Sequence, residues 1–440
     1  MQLPSSLQPP SSRRFLLPAS HQASSGSAPP ALLPGTAGRR LAPPRVSRVL
    51  ENEPSGRAFL QKAAASPLNV PGTSSFFDAL ASPRRLQLTQ AANEAIARLM
   101  ARTLADPFAA FPSLASFDLY AGDGHFHAAA VHDRSDDKGT KYATGHVYLM
   151  DLRTQAMRHP DLCDRIGRLR EHDLRLLKRN GYDALRGPAP KGRKVIICQD
   201  RAIIDFAWWQ KGKDTKGLYF ITRPKSNTQL TRIGFNEYDP ADPVNAGIVS
   251  DELAAPAATG RVLRRITWID PATGESWQYL TNGMTLAPGL IVLLYRRRWD
   301  IEKTYDTFKN KFHEKKSWAS SATAKSAQAG CWKSAKDISP AISAALRFLC
   351  LTHNLTVLHD QTLEDAGIQN TAEVKRRAKR LATLTVSAAA AGRIIPCIIA
   401  GFQRLTQRSV KFIRRLRQNL WSSRPLPDLC AILKLLYRTS

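Results

Sequence analysis

The stretch YRRRWDIEKTYDTFKNK, residues 295–311, sets one Glu among Arg, Lys and aromatic residues. Read as one helix turning about 100° per residue, it gathers Tyr295, Arg298, Glu302 and Lys309 within a sector of about 60°. Leu294, Ile301, Tyr305, Phe308 and Phe312 form an adjoining apolar stripe suited to packing on a sheet. Arg296, Asp300, Lys303, Thr304, Thr307 and Lys311 take the remaining arc and are expected to face solvent. Of the basic residues, only Arg298 and Lys309 are expected to look into a cleft, with Trp299 near its boundary. Arg298 and Glu302 are also spaced as an ordinary i, i+4 ion pair on a solvated helix. Two further carboxylates have settings that suggest chemistry: Asp123 inside LYAGDGHF and Asp200 closing KVIICQD. A carboxylate in a buried strand is costly unless it is paired or binds metal. Asp123, Asp200 and Glu302 together would make an all-oxygen site, which suits Mg²⁺ rather than zinc. Two such ions can activate a hydroxyl and stabilise the leaving oxygen in phosphodiester cleavage. Tyr295, Arg298 and Lys309, beside Glu302, could hold the phosphate.

Those residues need elements to position them. RRLQLTQAANEAIARLMARTLA (84–105) places Leu86, Ala91, Ile96 and Leu99 near helical spacing. SFDLYAGDGHFHAAAVHD (116–133) and YATGHVYLMDLRT (142–154) read as strands of a hairpin joined by the turn-rich RSDDKGTK. LCDRIGRLREHDLRLLKRN reads as a helix ending near Gly181. KVIICQD (194–200) reads as a buried strand, RAIIDFAWWQKGK as a helix and GLYFITRPK (217–225) as another strand. Between 227 and 287, RVLRRITWID and ESWQYLTN alternate around PATG, the mark of a hairpin in a β-rich insertion. PGLIVLLYRRRWDIEKTYDTFKNKF then returns to helical spacing, with Pro288 in its first turn. Antiparallel strands followed by alternating helix and strand predict an α/β fold with helices on a mixed sheet. In such a sheet the middle of an early strand and the end of a later one can converge on a helix packed beside them.

The spacing Y-x2-R-x3-E-x6-K, carried by Tyr295, Arg298, Glu302 and Lys309, resembles the signature of bacterial insertion-sequence DDE transposases of the IS-four type. CQDRAIIDFAWW is similar to that family's second-Asp block, YFITRPKSN to its following strand, and YLTNGMTLAPGLIVLLYRRRWDIE to the approach to its third acid. The resemblance covers about residues 115–320. It implies an RNase H-like catalytic core with a β-rich insertion before the Glu-bearing helix. It also implies a metal-binding triad at Asp123, Asp200 and Glu302, and DNA contacts from Tyr295, Arg298 and Lys309. The activity implied is Mg²⁺-dependent cleavage at transposon ends and strand transfer into target DNA. Two Mg²⁺ ions, which Mn²⁺ can replace, and a homodimer or higher synaptic complex on double-stranded DNA belong to the same expectation. The first block departs from the common pattern, with DGHFH where many relatives follow DG with a small hydroxyl residue. Asp123 is thus the least secure of the three, and Asp118, on the opposite strand face, is a weaker substitute.

Composition bears on partner and compartment. Lys and Arg number 64 against 36 Asp and Glu, a net charge of +28, which favours a polyanion. From Lys375 to Ser440 there are 15 Lys and Arg against one acid, Asp428, so half of the excess lies there. Within GFQRLTQRSVKFIRRLRQNLW, Arg404, Arg408, Lys411 and Arg415 would share one face of an amphipathic helix suited to phosphates. KRRAKR (375–380) extends that surface. The six cysteines are dispersed, as expected of reduced thiols in a cytoplasmic protein, and the DNA partner implied by the resemblance adds the expectation that it is nucleoid-associated. SAAAAGRIIPCIIAGF, the most apolar run, is broken by Arg393 and Pro396, so no membrane span is expected. The expected layout is a disordered Pro/Ser/Arg-rich tail at 1–57 and a helical region at 58–114. The catalytic domain follows at 115–330, interrupted by the 227–287 insertion, and 331–440 is a basic helical region. His125 and His127 share the Asp123 face, with His132 and His146 in the same hairpin, and could hold zinc, although their spacing is not a recognised one. Trp208 and Trp209, one or two helical turns after Asp200, suit core packing, with stacking on a flipped base as the alternative. Two other functions stay open: a catalytically inactive DNA-binding relative, and a Mg²⁺-dependent nuclease without strand transfer.

Overall fold

A computed structural model of the chain describes residues 56–64, 72–163, 173–310, 315–329 and 348–365, apart from short breaks within them. The first described elements are three helices, α1 (Gly56–Ala64), α2 (Thr73–Leu80) and α3 (Pro83–Thr103). Strands β1 (Phe117–His127), β2 (Thr144–Asp151) and β3 (Met157–Leu162) follow, then α4 (Asp173–Arg186), β4 (Lys194–Gln199), α5 (Phe206–Lys216) and β5 (Leu218–Thr222). Strands β6 (Thr231–Phe235), β7 (Ile248–Ala255), β8 (Leu263–Ile269) and β9 (Ser276–Thr281) lead into α6 (Pro288–Arg297) and α7 (Trp299–Asn310). The last described helices are α8 (Ala322–Ala329) and α9 (Phe348–Asp365).

All nine strands join one mixed sheet in the order β3-β2-β1-β4-β5-β9-β8-β7-β6. β1, β4 and β5 run parallel, and β2 runs antiparallel to both β1 and β3. This five-strand arrangement is consistent with an RNase H-like core. The hairpin read from RVLRRITWID and ESWQYLTN is β8 and β9, and β9 pairs antiparallel with β5. The strands from 231 to 281 therefore extend the same sheet rather than forming a separate one.

Strand parity explains the continuous apolar run of β4. Leu119, Ala121, Ile196 and Cys198 face a core that α6 and α7 complete through Leu290, Leu294, Ile301 and Phe308. Tyr120, Val195 and Ile197 face a second core with Leu176, Leu177 and Trp209 from α4 and α5. A strand buried on both faces has no polar side to show, so it reads as uniformly hydrophobic. Helix α5 is delimited by local chemistry. The Asp205 carboxylate accepts from Trp208 N at its start, and Gly217 ends it at φ 62°, a conformation that favours glycine.

Several expectations need correcting. The Glu-bearing stretch is two helices, not one. At Arg298 the Tyr295 carbonyl accepts from Arg298 N, and the Arg298 carbonyl accepts from Ile301 N, both three residues apart. That tight turn offsets α7 from α6, so angular positions cannot be carried across it. Asp300, Thr304 and Thr307, expected in solvent, are buried, and so is Arg297. The apolar stripe is confirmed at Leu294, Ile301, Tyr305 and Phe308, while Phe312 and Lys311 lie outside the described residues. Helix α3 buries Asn93, Ala97 and Met100, whereas Ala91 and Leu99 are exposed. Leu162 closes strand β3 instead of opening a helix, and the first four residues of RAIIDFAWWQKGK form a turn before Asp205.

Candidate active site

The same parity brings the acids together. Asp123 continues the Leu119–Ala121 face of β1, and Asp200 continues the Ile196–Cys198 face of β4. Both therefore point to the side that carries α6 and α7. The parallel register pairs Gly122 with Gln199, so one residue further on Asp123 stands beside Asp200. Glu302 arrives in the first turn of α7, which packs against β1. Asp118, the weaker substitute, has the opposite parity and is paired with Arg193 at 2.5 Å.

Arg298, at the junction of α6 and α7, draws these groups into one electrostatic unit. Its guanidinium lies 2.8 Å from the Glu302 carboxylate and 3.9 Å from that of Asp123, and over the Tyr295 ring at 5.4 Å. Asp123 also accepts from Gly124 N at 2.9 Å, and Asp200 from Arg201 N at 2.7 Å. Burial, aided by the negative charges of Glu302 and Asp200, pushes the Asp123 carboxyl up to about 6, against the pull of Arg298 and the Gly124 amide. Burial raises the Tyr295 hydroxyl, with Arg298 opposing. Lys309 is exposed near His125, whose imidazole is pushed down to about 3 by burial, with His127 and Lys309 adding to the effect.

Among the described residues no three His, Cys, Asp or Glu side chains are gathered closely enough to hold an ion. The Asp123 and Glu302 carboxylates are turned toward Arg298. The donor chemistry still fits a hard divalent cation, because the three carboxylates on this face offer oxygen alone and Asp123 is held at a cost by burial. The same absence covers the histidines read as a zinc site. His125, His127, His146 and His159 form a row of buried rings 4.3 to 5.4 Å apart, where His146 Nδ1 and His159 Nε2 share a hydrogen bond of 3.0 Å. His132 is exposed and outside the row.

A cavity of about 440 Å³ opens beside Asp200 and Tyr295, between α6 and the strands β8 and β9. Arg223 stacks on Trp277 at 4.0 Å and Arg296 on Trp268 at 4.9 Å along its wall, and Trp299 closes one side. Sequence reasoning missed Arg223, Trp268, Trp277 and Asp270 as neighbours of the site. The alternation of β8 was the available signal, because it fixes which face Trp268 joins once the sheet is known to be continuous. Trp209 is fully buried and Trp208 half-buried against Tyr182, as a core role requires.

The family model for the transposase DDE domain matches residues 170–328. That segment, about a third of the chain, is therefore similar to a transposase DDE domain. No curated protein matched the chain. The matched segment includes Asp200, Tyr295, Arg298, Glu302 and Lys309, and starts after Asp123, the acid whose sequence block was unusual. Among the described residues no helix is long and apolar enough to cross a membrane. Arg404, Arg408, Lys411 and Arg415 lie outside the described residues, as do the first 55 residues and most of KRRAKR.

Proposed function

We propose that this chain is a DNA transposase of the IS-four insertion-sequence type, cutting DNA at the ends of its element and joining the freed 3′-hydroxyls to target DNA. The observation that carries this reading is the convergence of Asp123, Asp200 and Glu302 with Arg298 and Tyr295 on one face of the sheet. Asp123, Asp200 and Glu302 would hold two Mg²⁺ ions, with Mn²⁺ able to substitute. Such ions, when bound, activate the attacking oxygen and stabilise the leaving one. Arg298 and Lys309 neutralise the scissile phosphate, and the Tyr295 hydroxyl orients it. In cleavage the water oxygen bonds to phosphorus and the P–O3′ bond breaks, freeing a 3′-hydroxyl. In transfer that 3′-oxygen attacks a target phosphate, and the target's own 3′-oxygen leaves. Arg404, Arg408, Lys411 and Arg415 add to the hold on DNA, and two or more copies assemble to bring both ends together. The strands between 227 and 287 would serve as the insertion of a catalytic unit spanning 115–330.

Purified protein, Mg²⁺ and the DNA flanking its own gene test the reading. Wild type is expected to nick at the element ends and to yield end-joined product, whereas Glu302→Gln binds the same DNA without nicking. Nicking that survives Glu302→Gln would sink the site assignment. Nicking with no joined product would leave a nuclease, and DNA binding without nicking an inactive relative.

A further inference from the structure

We infer that Tyr305 is the positioning residue that sets the distance between Asp123 and Glu302. The inference rests on the metal-site reading above. Asp123 and Glu302 belong to different layers, a strand and a helix, so the separation of their carboxylates depends on how α7 is clamped to β1. Three residues after Glu302, one turn along the same helix, the Tyr305 hydroxyl donates to the Asp123 carbonyl at 2.9 Å. The hydrogen bond therefore ends on the residue whose carboxylate would bind metal.

The ring is fixed as firmly as the hydroxyl. It stacks on His125, two residues beyond Asp123 on the same strand face, with centroids 4.6 Å apart and planes 17° apart. Tyr148 of β2 approaches the ring at 5.7 Å, and Tyr305 is 7% exposed. One side chain thus spans both ends of the segment 123–125, by hydrogen bond at one and by stacking at the other. Groups of this kind, which touch no metal but fix those that do, typically hold 10–100-fold of metal affinity. The DGHFH departure acquires a purpose on this basis. His125 supplies a flat partner for Tyr305 that a small hydroxyl residue could not.

Tyr305→Phe removes only the hydroxyl and keeps the ring on His125. Calorimetric titration of the full chain with Mg²⁺, alongside thermal unfolding without metal, reads the two roles separately. The expected result is an unfolding temperature close to wild type and Mg²⁺ binding weakened about tenfold. Phe308→Leu, a packing change on the same helix, is expected to lower the unfolding temperature and leave Mg²⁺ binding where it was. Equal Mg²⁺ binding by wild type and Tyr305→Phe overturns the inference, and so does Phe308→Leu weakening it as much. Asp123→Asn separates the two readings. Mg²⁺ binding that survives it overturns the metal site and the role of Tyr305 together. Binding lost in Asp123→Asn but intact in Tyr305→Phe overturns Tyr305 alone.

Discussion

Arg297 and Arg298 are neighbours with the same side chain and opposite duties. Arg298 reaches the Asp123 and Glu302 carboxylates from the turn between two helices, while Arg297 is enclosed with Asp300, 2.5 Å away, both nearly inaccessible to water. Burial raises the Asp300 carboxyl, and Arg297 and Lys303 hold it back. Such a pair gives little net stability, yet breaking it leaves a buried charge alone. Arg297→Met is expected to cost about 3 kcal/mol in urea unfolding, and adding Asp300→Leu to return most of it. If the double variant is no better than the single, the pair is not what the site needs. At this scale the shared face of Asp123 and Asp200, and the approach of Arg298 to Glu302 and Tyr295, were legible from spacing and strand context, while the roles given to these residues and to Lys309 are proposals. Arg297 and Asp300 were not, because a helical projection assumes one continuous helix with one buried side. The turn at Arg298 breaks the first assumption. Met150 on β2, which Thr304 Oγ1 approaches at 3.8 Å, breaks the second.

Helix α6 carries Tyr295 and leads into Arg298, and its start is held by a backbone contact with no room for a side chain. A Cβ added at Gly289 would stand 1.7 Å from the Val244 carbonyl oxygen. The Gly289 amide donates to Asn245 Oδ1 at 3.0 Å, fixing the helix to the short 3-10 turn Pro243–Asn245. Neither partner is flexible, so Gly289→Ala must push α6 away, at a cost of about 3 kcal/mol. Tyr295 and Arg298 move with the helix, and the expected outcome is a lower urea midpoint together with slower DNA nicking. An unchanged midpoint would show that the turn yields instead. Pro288 marked the helix start in the sequence, but nothing in a linear reading tells Gly289 that its neighbour is residue 244. The same limit hid β3. Its sequence MRHPDL is neither alternating nor apolar, and it is a strand because β2 pairs with it and Asn354 of α9 bonds Met157 N at 2.7 Å.

Across the whole molecule, charge and burial pull in different directions. The excess of Lys and Arg was plain from composition and pointed to a polyanion, whereas the uncharged imidazoles inside the fold were not legible. Single histidines along a sequence do not disclose that they will share one interior. His146 lies well below the ordinary histidine range because of burial, with His127, His159, His125 and Lys325 adding to it. Burial also pushes His353 down to about 4, although its bond to the Gln155 carbonyl at 3.0 Å opposes the shift. The folded pKa is the lower one, so the unfolded chain takes up protons first, from about pH 6.5 downward. Stability from these groups is therefore complete above pH 6.5 and drains away toward pH 4. His353 alone accounts for about 2 kcal/mol between pH 7.5 and 5 by this linkage. Urea unfolding at pH 7.5, 6 and 5 measures it. His353→Gln, whose amide can still donate to Gln155, is expected to lose about 2 kcal/mol less than wild type over that range. Parallel losses in the two proteins would mean that His353 is not neutral inside the fold, and would assign the acid sensitivity to the carboxylates instead.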